Sequence, residues 1–191
     1  MNSATDLPEW AHSLAVFDTE TTGLAPETTR IVAAHVSLLD SAGQVSEARD
    51  WLINPGIEIP EIATSVHGIT TAYAVEHGRE PADAIAEILA VLAAHFDSGI
   101  PVVAYNASYD FTILDREAKR YGLDPLADVR PVIDPLVIDK QVDRYRKGKR
   151  RLENAAAHYA VTLDNAHDAS ADAIAAGRIA QALARVHAEK L

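Results

Sequence analysis

Apolar positions in the first fifty residues follow the rhythm of extended chain. Leu14 to Asp18 reads as a short buried strand and Ile31 to Asp40 as a second. Ser41-Ala42-Gly43-Gln44 supplies a hairpin turn, and Ala48 to Ile53 the antiparallel partner, stopped by Asn54-Pro55-Gly56. Glu58 to Thr70 reads as loop. Beyond residue 80 the period lengthens, and helices are predicted over Pro81 to Phe96, Ser108 to Tyr121, Leu136 to Val142, Leu152 to Tyr159 and Ala169 to Glu189. Between them, Pro101 to Tyr105 and Arg130 to Asp134 read as a fourth and a fifth strand. A hairpin set followed by strands alternating with helices predicts an α/β chain, a five-stranded mixed sheet with helices packed on it. With 191 residues and no internal repeat or linker, a single domain over 1–191 is expected, with its core at about 14–187.

Several acidic residues break this pattern. Asp18 and Glu20 close the first strand, and because side chains alternate, both point the same way with Cα atoms roughly 7 Å apart. Two carboxylates so placed repel and raise each other's pKa unless a cation lies between them. Mg²⁺ or Mn²⁺, which prefer oxygen ligands, fit that need. Asp110 shares a helical stripe with Ile113, Leu114 and Tyr121, whereas Asp115 falls on the opposite, solvated face. Glu117 also lies near the apolar stripe, and spacing does not account for it. On the last helix Asp172 aligns with Ala175, Ala176, Ile179, Leu183 and Val186, so it should face the core, where a carboxylate needs a partner or a metal. Asp168 or Ser170 is expected to cap that helix. His167 and Asp172 are five positions apart and converge only if His167 precedes the helix. His35 has the same spacing to Asp40 but falls in a strand, expected to be remote from the acidic site.

Charge and composition narrow the classes. A net charge of −11 disfavours a general nucleic-acid binder. Yet the run Arg144 to Arg151 holds six of the 17 basic residues and none of the 28 acidic ones, which makes it a candidate phosphate-binding patch. A solvated loop is the other reading of that run. The absence of cysteine excludes disulfides, thiolate zinc sites and cysteine nucleophiles, and suits a reducing cytoplasm. No segment has the length of a membrane span, and the first ten residues do not look like a signal peptide.

Taken in order, these residues resemble the DnaQ-like, or DEDDh, 3′→5′ exonucleases, which have an RNase H-like fold. Phe17-Asp18-Thr19-Glu20-Thr21-Thr22-Gly23-Leu24 resembles the first family motif. Tyr105-Asn106-Ala107-Ser108-Tyr109-Asp110-Phe111 resembles the second, and His167-Asp168-Ala169-Ser170-Ala171-Asp172-Ala173 the third. Ser65-Val66-His67-Gly68-Ile69-Thr70 is similar to a segment these enzymes place between the first two. The first motif is closest to that of the proofreading epsilon subunit of replicative DNA polymerase.

The resemblance implies two divalent metal ions, Mg²⁺ or Mn²⁺, held by Asp18, Glu20, Asp110 and Asp172, with His167 as general base. It makes Leu24, His67 and Tyr109 neighbours of the terminal nucleotide, with Thr21, Thr22 and Asn106 in support. Arg146, Lys147 and Lys149 are the substrate-binding candidates from the basic run. For His67 a loop histidine bonded to backbone is the competing role. The implied substrate is a single-stranded 3′ end, DNA before RNA, and a DNA polymerase or a replication or repair protein is a candidate partner. The chain lacks the long C-terminal extension by which epsilon subunits bind polymerase, which favours a stand-alone exonuclease. An RNA-trimming exoribonuclease and a non-catalytic nucleic-acid-binding domain are the alternatives.

Overall fold

The computed structural model describes residues 7–163 and 165–190. After a short 3₁₀ turn at Glu9–Ala11 come β1 (Leu14–Thr21), β2 (Ile31–Leu39) and β3 (Val45–Leu52), an antiparallel meander. Three helices follow, α1 (Glu61–His67), α2 (Thr71–His77) and α3 (Pro81–Asp97). The remainder is β4 (Val102–Val103), α4 (Ala107–Arg120), β5 (Val132–Ile133), α5 (Pro135–Val142), α6 (Leu152–His158) and α7 (Ala169–Val186). The sheet order is β3-β2-β1-β4-β5, with β4 and β5 parallel to β1. The expected α/β architecture, a five-stranded mixed sheet flanked by helices, is the one observed.

β1 is central and covered on both faces, which is why Leu14 to Phe17 form an unbroken apolar run. Ala15 and Phe17 join the core built with α3 and α4, including Ile85, Ile88, Leu92, Ile113 and Leu114. Leu14 and Val16 face the other way, onto Ala173, Ala176 and Ala180 of α7. There the helix approaches the sheet so closely that a Cβ on Gly177 would run into Val16 Cγ1 and Leu39 Cδ1. This contact fixes the height of α7, and with it Asp172, over β1. β3 is the exposed edge, and Glu47, Arg49 and Asp50 along it discourage edge pairing.

Three expectations need correction. The stretch 58–70 is not loop throughout: α1 begins after Pro60 and ends at Gly68, whose φ of 77° closes it in the left-handed region. None of its residues is buried, and Ile62 is 81% exposed, so the short apolar side formed by Ile62, Ala63 and Val66 lies outside the core, and seven residues give too little period to read. α2, capped by the Thr70 hydroxyl accepting from Tyr73 N–H, was hidden for a similar reason, since only Ala74 is buried. On α7 the predicted stripe ends early, because Val186 is exposed.

Candidate active site

The parallel strands β1, β4 and β5 end at one edge of the sheet, beside the switch between its antiparallel and parallel halves, where α/β folds form their clefts. Asp18 and Glu20 lie on the α7 face of β1. Asp172 reaches the same place from the first turn of α7, whose N-terminus Asp168 caps by accepting from Ala171 N–H at 3.1 Å. One carboxylate oxygen from each of Asp18, Glu20 and Asp172 lies within 4.8 Å of the other two, a spacing that can hold a hard divalent cation. Asp110 stands on the other side of β1, in the first turn of α4. It is buried, and its Oδ1 accepts the Thr19 hydroxyl at 2.7 Å.

Electrostatics agree with that capacity. Withdrawal from water, then the charges of Asp110, Glu20 and Asp172, hold the Asp18 carboxyl well above the usual carboxylate range. Burial, followed by Asp172 and Asp110, pushes Glu20 up to about 8. Burial raises Asp110 to about 7, against the hydrogen bond from Thr19, and burial also raises Asp172. Four acids that resist ionisation in one place are the donor set a divalent cation would relieve.

His167 precedes α7, as the spacing required. Its φ is 70°, its side chain is exposed, and its backbone N–H points at Asp172, 3.3 Å from Oδ2. With Glu20, His67, Asp168 and Ser170 it lines a pocket of about 200 Å³. His35 lies in β2, as expected, but is not remote: the ladder sets it directly opposite Asp18. Its buried Nδ1 is bonded to Asp50 Oδ1 at 2.7 Å. The cause is register, which a five-residue spacing to Asp40 does not report.

A groove of about 440 Å³ runs along Glu20 to Leu24, Tyr109 and the inner side of α1, with Ile62, Ala63, Val66 and His67. Tyr109 donates to Gly23 O at 2.5 Å and lies 2.8 Å from the Thr21 hydroxyl, so second-motif and first-motif residues share one wall. Thr22 accepts from Arg30 N–H at 3.0 Å and closes the base of the loop that carries Leu24, which is 85% exposed at its tip. His67 sits between groove and pocket. Its Nδ1 accepts from Ile69 N–H at 3.1 Å, the backbone role anticipated for a loop histidine. Its buried Nε2 has no hydrogen-bond partner among the described residues, and burial lowers its pKa.

Asn106 is the N-cap of α4 at a φ of 65°, and its backbone N–H, with that of Ala107, donates to Asp134. Asp134 also caps α5 by accepting from Leu136 N–H, so one carboxylate ties two helix starts to the site. Thr19 and Asp134 escaped sequence reasoning. An Asp directly before Pro135 at a helix start was the available signal for the second.

The basic run divides in two. Arg146 turns inward, its side chain only 13% exposed, and pairs with the fully buried Asp139. Arg150 joins it at 2.6 Å, and Tyr159 donates to the same carboxylate. The expectation that Arg146 reaches substrate is therefore corrected: its guanidinium is occupied in holding the loop. Lys147 and Lys149 remain exposed on that loop.

The sequence model of the exonuclease family matches residues 15–180. The chain belongs to that family. It is 32% identical over 170 residues to the DNA polymerase III PolC-type protein of Lacticaseibacillus paracasei, covering 88% of this chain and 11% of that one. It is 36% identical over 134 residues to a DNA polymerase III subunit epsilon-like protein of Rhodobacter capsulatus, covering 68% of this chain and 18% of the relative. The chain thus spans less than a fifth of the length of either relative. Among solved structures, exonuclease I of Methylocaldum szegediense shares the fold with a TM-score of 0.73 at 23% identity, over 93% of this chain and 41% of that one. Escherichia coli exonuclease I in complex with a dT13 oligonucleotide gives 0.71 at 21%, over 88% and 40%. The RNase H-like, DnaQ-like fold implied by the three motifs is the fold observed. Among the described residues, no helix is long and apolar enough to cross a membrane.

Proposed function

We propose that this chain is a 3′→5′ exonuclease that releases nucleoside 5′-monophosphates one at a time from single-stranded ends, DNA before RNA. The observation that carries the reading is the convergence of Asp18, Glu20 and Asp172 within 4.8 Å, between an exposed histidine and a largely apolar groove. A polyanionic substrate is repelled by such a cluster unless cations neutralise it. Asp18, Glu20 and Asp172, with Asp110 beyond Thr19, are the residues that would hold two Mg²⁺ or Mn²⁺ ions. Bound there, the metals would lower the pKa of a water and offset the charge that develops on the phosphate oxygens.

The remaining work falls to the chain. His167, in its exposed position, takes the proton of the attacking water as the phosphorus–oxygen bond to the 3′-oxygen breaks. Leu24, Tyr109 and His67 flank the terminal nucleoside in the groove, where stacking on apolar walls tolerates any base. Thr21, Thr22 and Asn106 hold those walls, and Lys147 and Lys149 attract the phosphates of the incoming strand. The polymerase relatives make a replication or repair complex the natural partner class.

The test is digestion of 3′-labelled single-stranded DNA, duplex DNA and RNA, in linear and circular forms, with Mg²⁺, Mn²⁺ or EDTA. Linear single strands should yield 5′-monophosphates, with circles intact. Efficient cutting of circles, or 3′-phosphate products, overturns the proposal, and a preference for RNA reassigns the substrate.

A further inference from the structure

Glu117 is the acid that the α4 stripe left unexplained. It is fully buried, and two guanidiniums reach it: Arg120 makes a close ion pair with Oε1, and Arg30 lies 3.9 Å from the same oxygen. Burial pushes the Glu117 carboxyl above its ordinary range, against the pull of the two arginines. A buried acid paired in this way acts where its partners lead.

They lead to the loop between β1 and β2. Arg30 ends that loop, donates to Tyr121 Oη at 2.7 Å, and its backbone closes the base through Thr22. The Thr22 N–H returns a bond to Arg30 O at 2.9 Å. Arg120 donates its other Nη to Glu27 O at 3.1 Å, and Arg116 reaches the Glu27 carboxylate at 2.8 Å. The far side of the loop is held by the first turn of the same helix, through Tyr109 and Gly23 O. Leu24 lies between these two attachments. One helix therefore carries a site acid, Asp110, at its start and the grip on the Leu24 loop at its end.

We propose that Glu117, acting through Arg30 and Arg120, is a positioning residue that holds the Leu24 loop as one wall of the nucleotide groove. The inference rests on the exonuclease reading for what the groove receives, but not for the hold itself. Glu117 touches neither the groove nor the acidic cluster, so its loss should weaken substrate capture and leave the chemical step alone.

The experiment compares wild type, Glu117→Gln, Leu24→Ala and the double variant on a 3′-labelled single-stranded oligonucleotide with Mn²⁺. Backbone hydrogen exchange across 22–30 is measured in parallel on the same proteins. Glu117→Gln should raise KM about tenfold with kcat within about twofold, the pattern of lost uniform binding. In the Leu24→Ala background it should add little, because both changes remove one contact. Exchange across 22–30 should quicken while the α7 amides stay protected. Independent, multiplicative effects on KM, or unchanged exchange in the loop with only a lower melting temperature, overturn the inference. Arg120→Gln, altered at a partly exposed partner, gives the same readouts should Glu117→Gln not fold. Should wild type cleave nothing, the exonuclease reading fails, and loop exchange still decides whether Glu117 holds the loop.

Discussion

The Thr19 hydroxyl donates to Asp110 at 2.7 Å across the core, joining the middle residue of the first acidic pair to the acid of the α4 helix. Asp18 and Glu20 therefore face α7 while the residue between them holds the fourth carboxylate from behind. Strand alternation makes both contacts available from three consecutive residues.

Thr19→Val tests this link. The bond favours ionised Asp110, whose pKa already stands at about 7, so losing it raises that pKa further. In the metal-free protein at pH 7 more molecules should then carry protonated Asp110, so Mn²⁺ should bind the variant more weakly at that pH than it binds wild type. Equal Mn²⁺ affinity for the two proteins at pH 7 would contradict this link.

Stability should depend on pH and metal together. Glu20 has its pKa raised from 4.5 to about 8 on folding. A raised acid binds its proton more tightly in the folded state, so its contribution is fully present below pH 4.5 and is lost as pH rises through 8. The metal-free protein should lose stability over this window. Mn²⁺ at a hundredfold excess over its dissociation constant should add about 2.7 kcal/mol, and one fixed Mn²⁺ concentration should add more at pH 8 than at pH 6, where protons compete for the carboxylates. Melting scans with Mn²⁺ and with EDTA at both pH values check this. Coincident midpoints would contradict metal binding at the cluster.

The basic run should separate by role. Lys147→Ala with Lys149→Ala should weaken oligonucleotide binding and reduce the salt slope by about two, with melting unchanged. Arg146→Ala should instead destabilise the fold by about 3 kcal/mol, because it strips a buried carboxylate of one partner. Binding at several salt concentrations and urea unfolding distinguish the two. If Lys147 and Lys149 leave the slope unchanged, the loop is only solvated.

The division within this run shows where sequence reading stops. Six cations in eight residues look alike along the chain. Only the fold brings Asp139, with Tyr159 behind it, up to two of them. Asp18, Glu20, Asp110 and Asp172 were legible because each interrupts an apolar pattern, and such a break is local. Strands β1 and β2 and helices α3, α4 and α7 were legible for the same reason, since each buries a face; β3, exposed over most of its length, was placed by the turn before it. α1 has no residue in the core, and its seven residues are too few for a period to read. Thr19 and Asp134 act through partners on other elements, and the register that sets His35 opposite Asp18 depends on the hairpin as a whole.

His167→Ala should lower turnover about 10² to 10⁴-fold, as expected for loss of a general base, while Mn²⁺ and oligonucleotide binding persist. His35→Ala, which empties a buried ring position and removes its hydrogen bond to Asp50, should lower the melting temperature. Near-normal turnover of His167→Ala at pH 7 would reassign the base.

The most direct measurement is release of 3′-terminal nucleotide from a labelled single strand by wild type and Asp18→Asn, with Mn²⁺ and with EDTA. Wild type with Mn²⁺ should release 5′-monophosphates. EDTA should abolish release, and Asp18→Asn should lower it by orders of magnitude while the protein stays folded. Release that survives EDTA, or an Asp18→Asn rate close to wild type, would contradict the assignment of the carboxylate cluster as the metal-dependent catalytic centre.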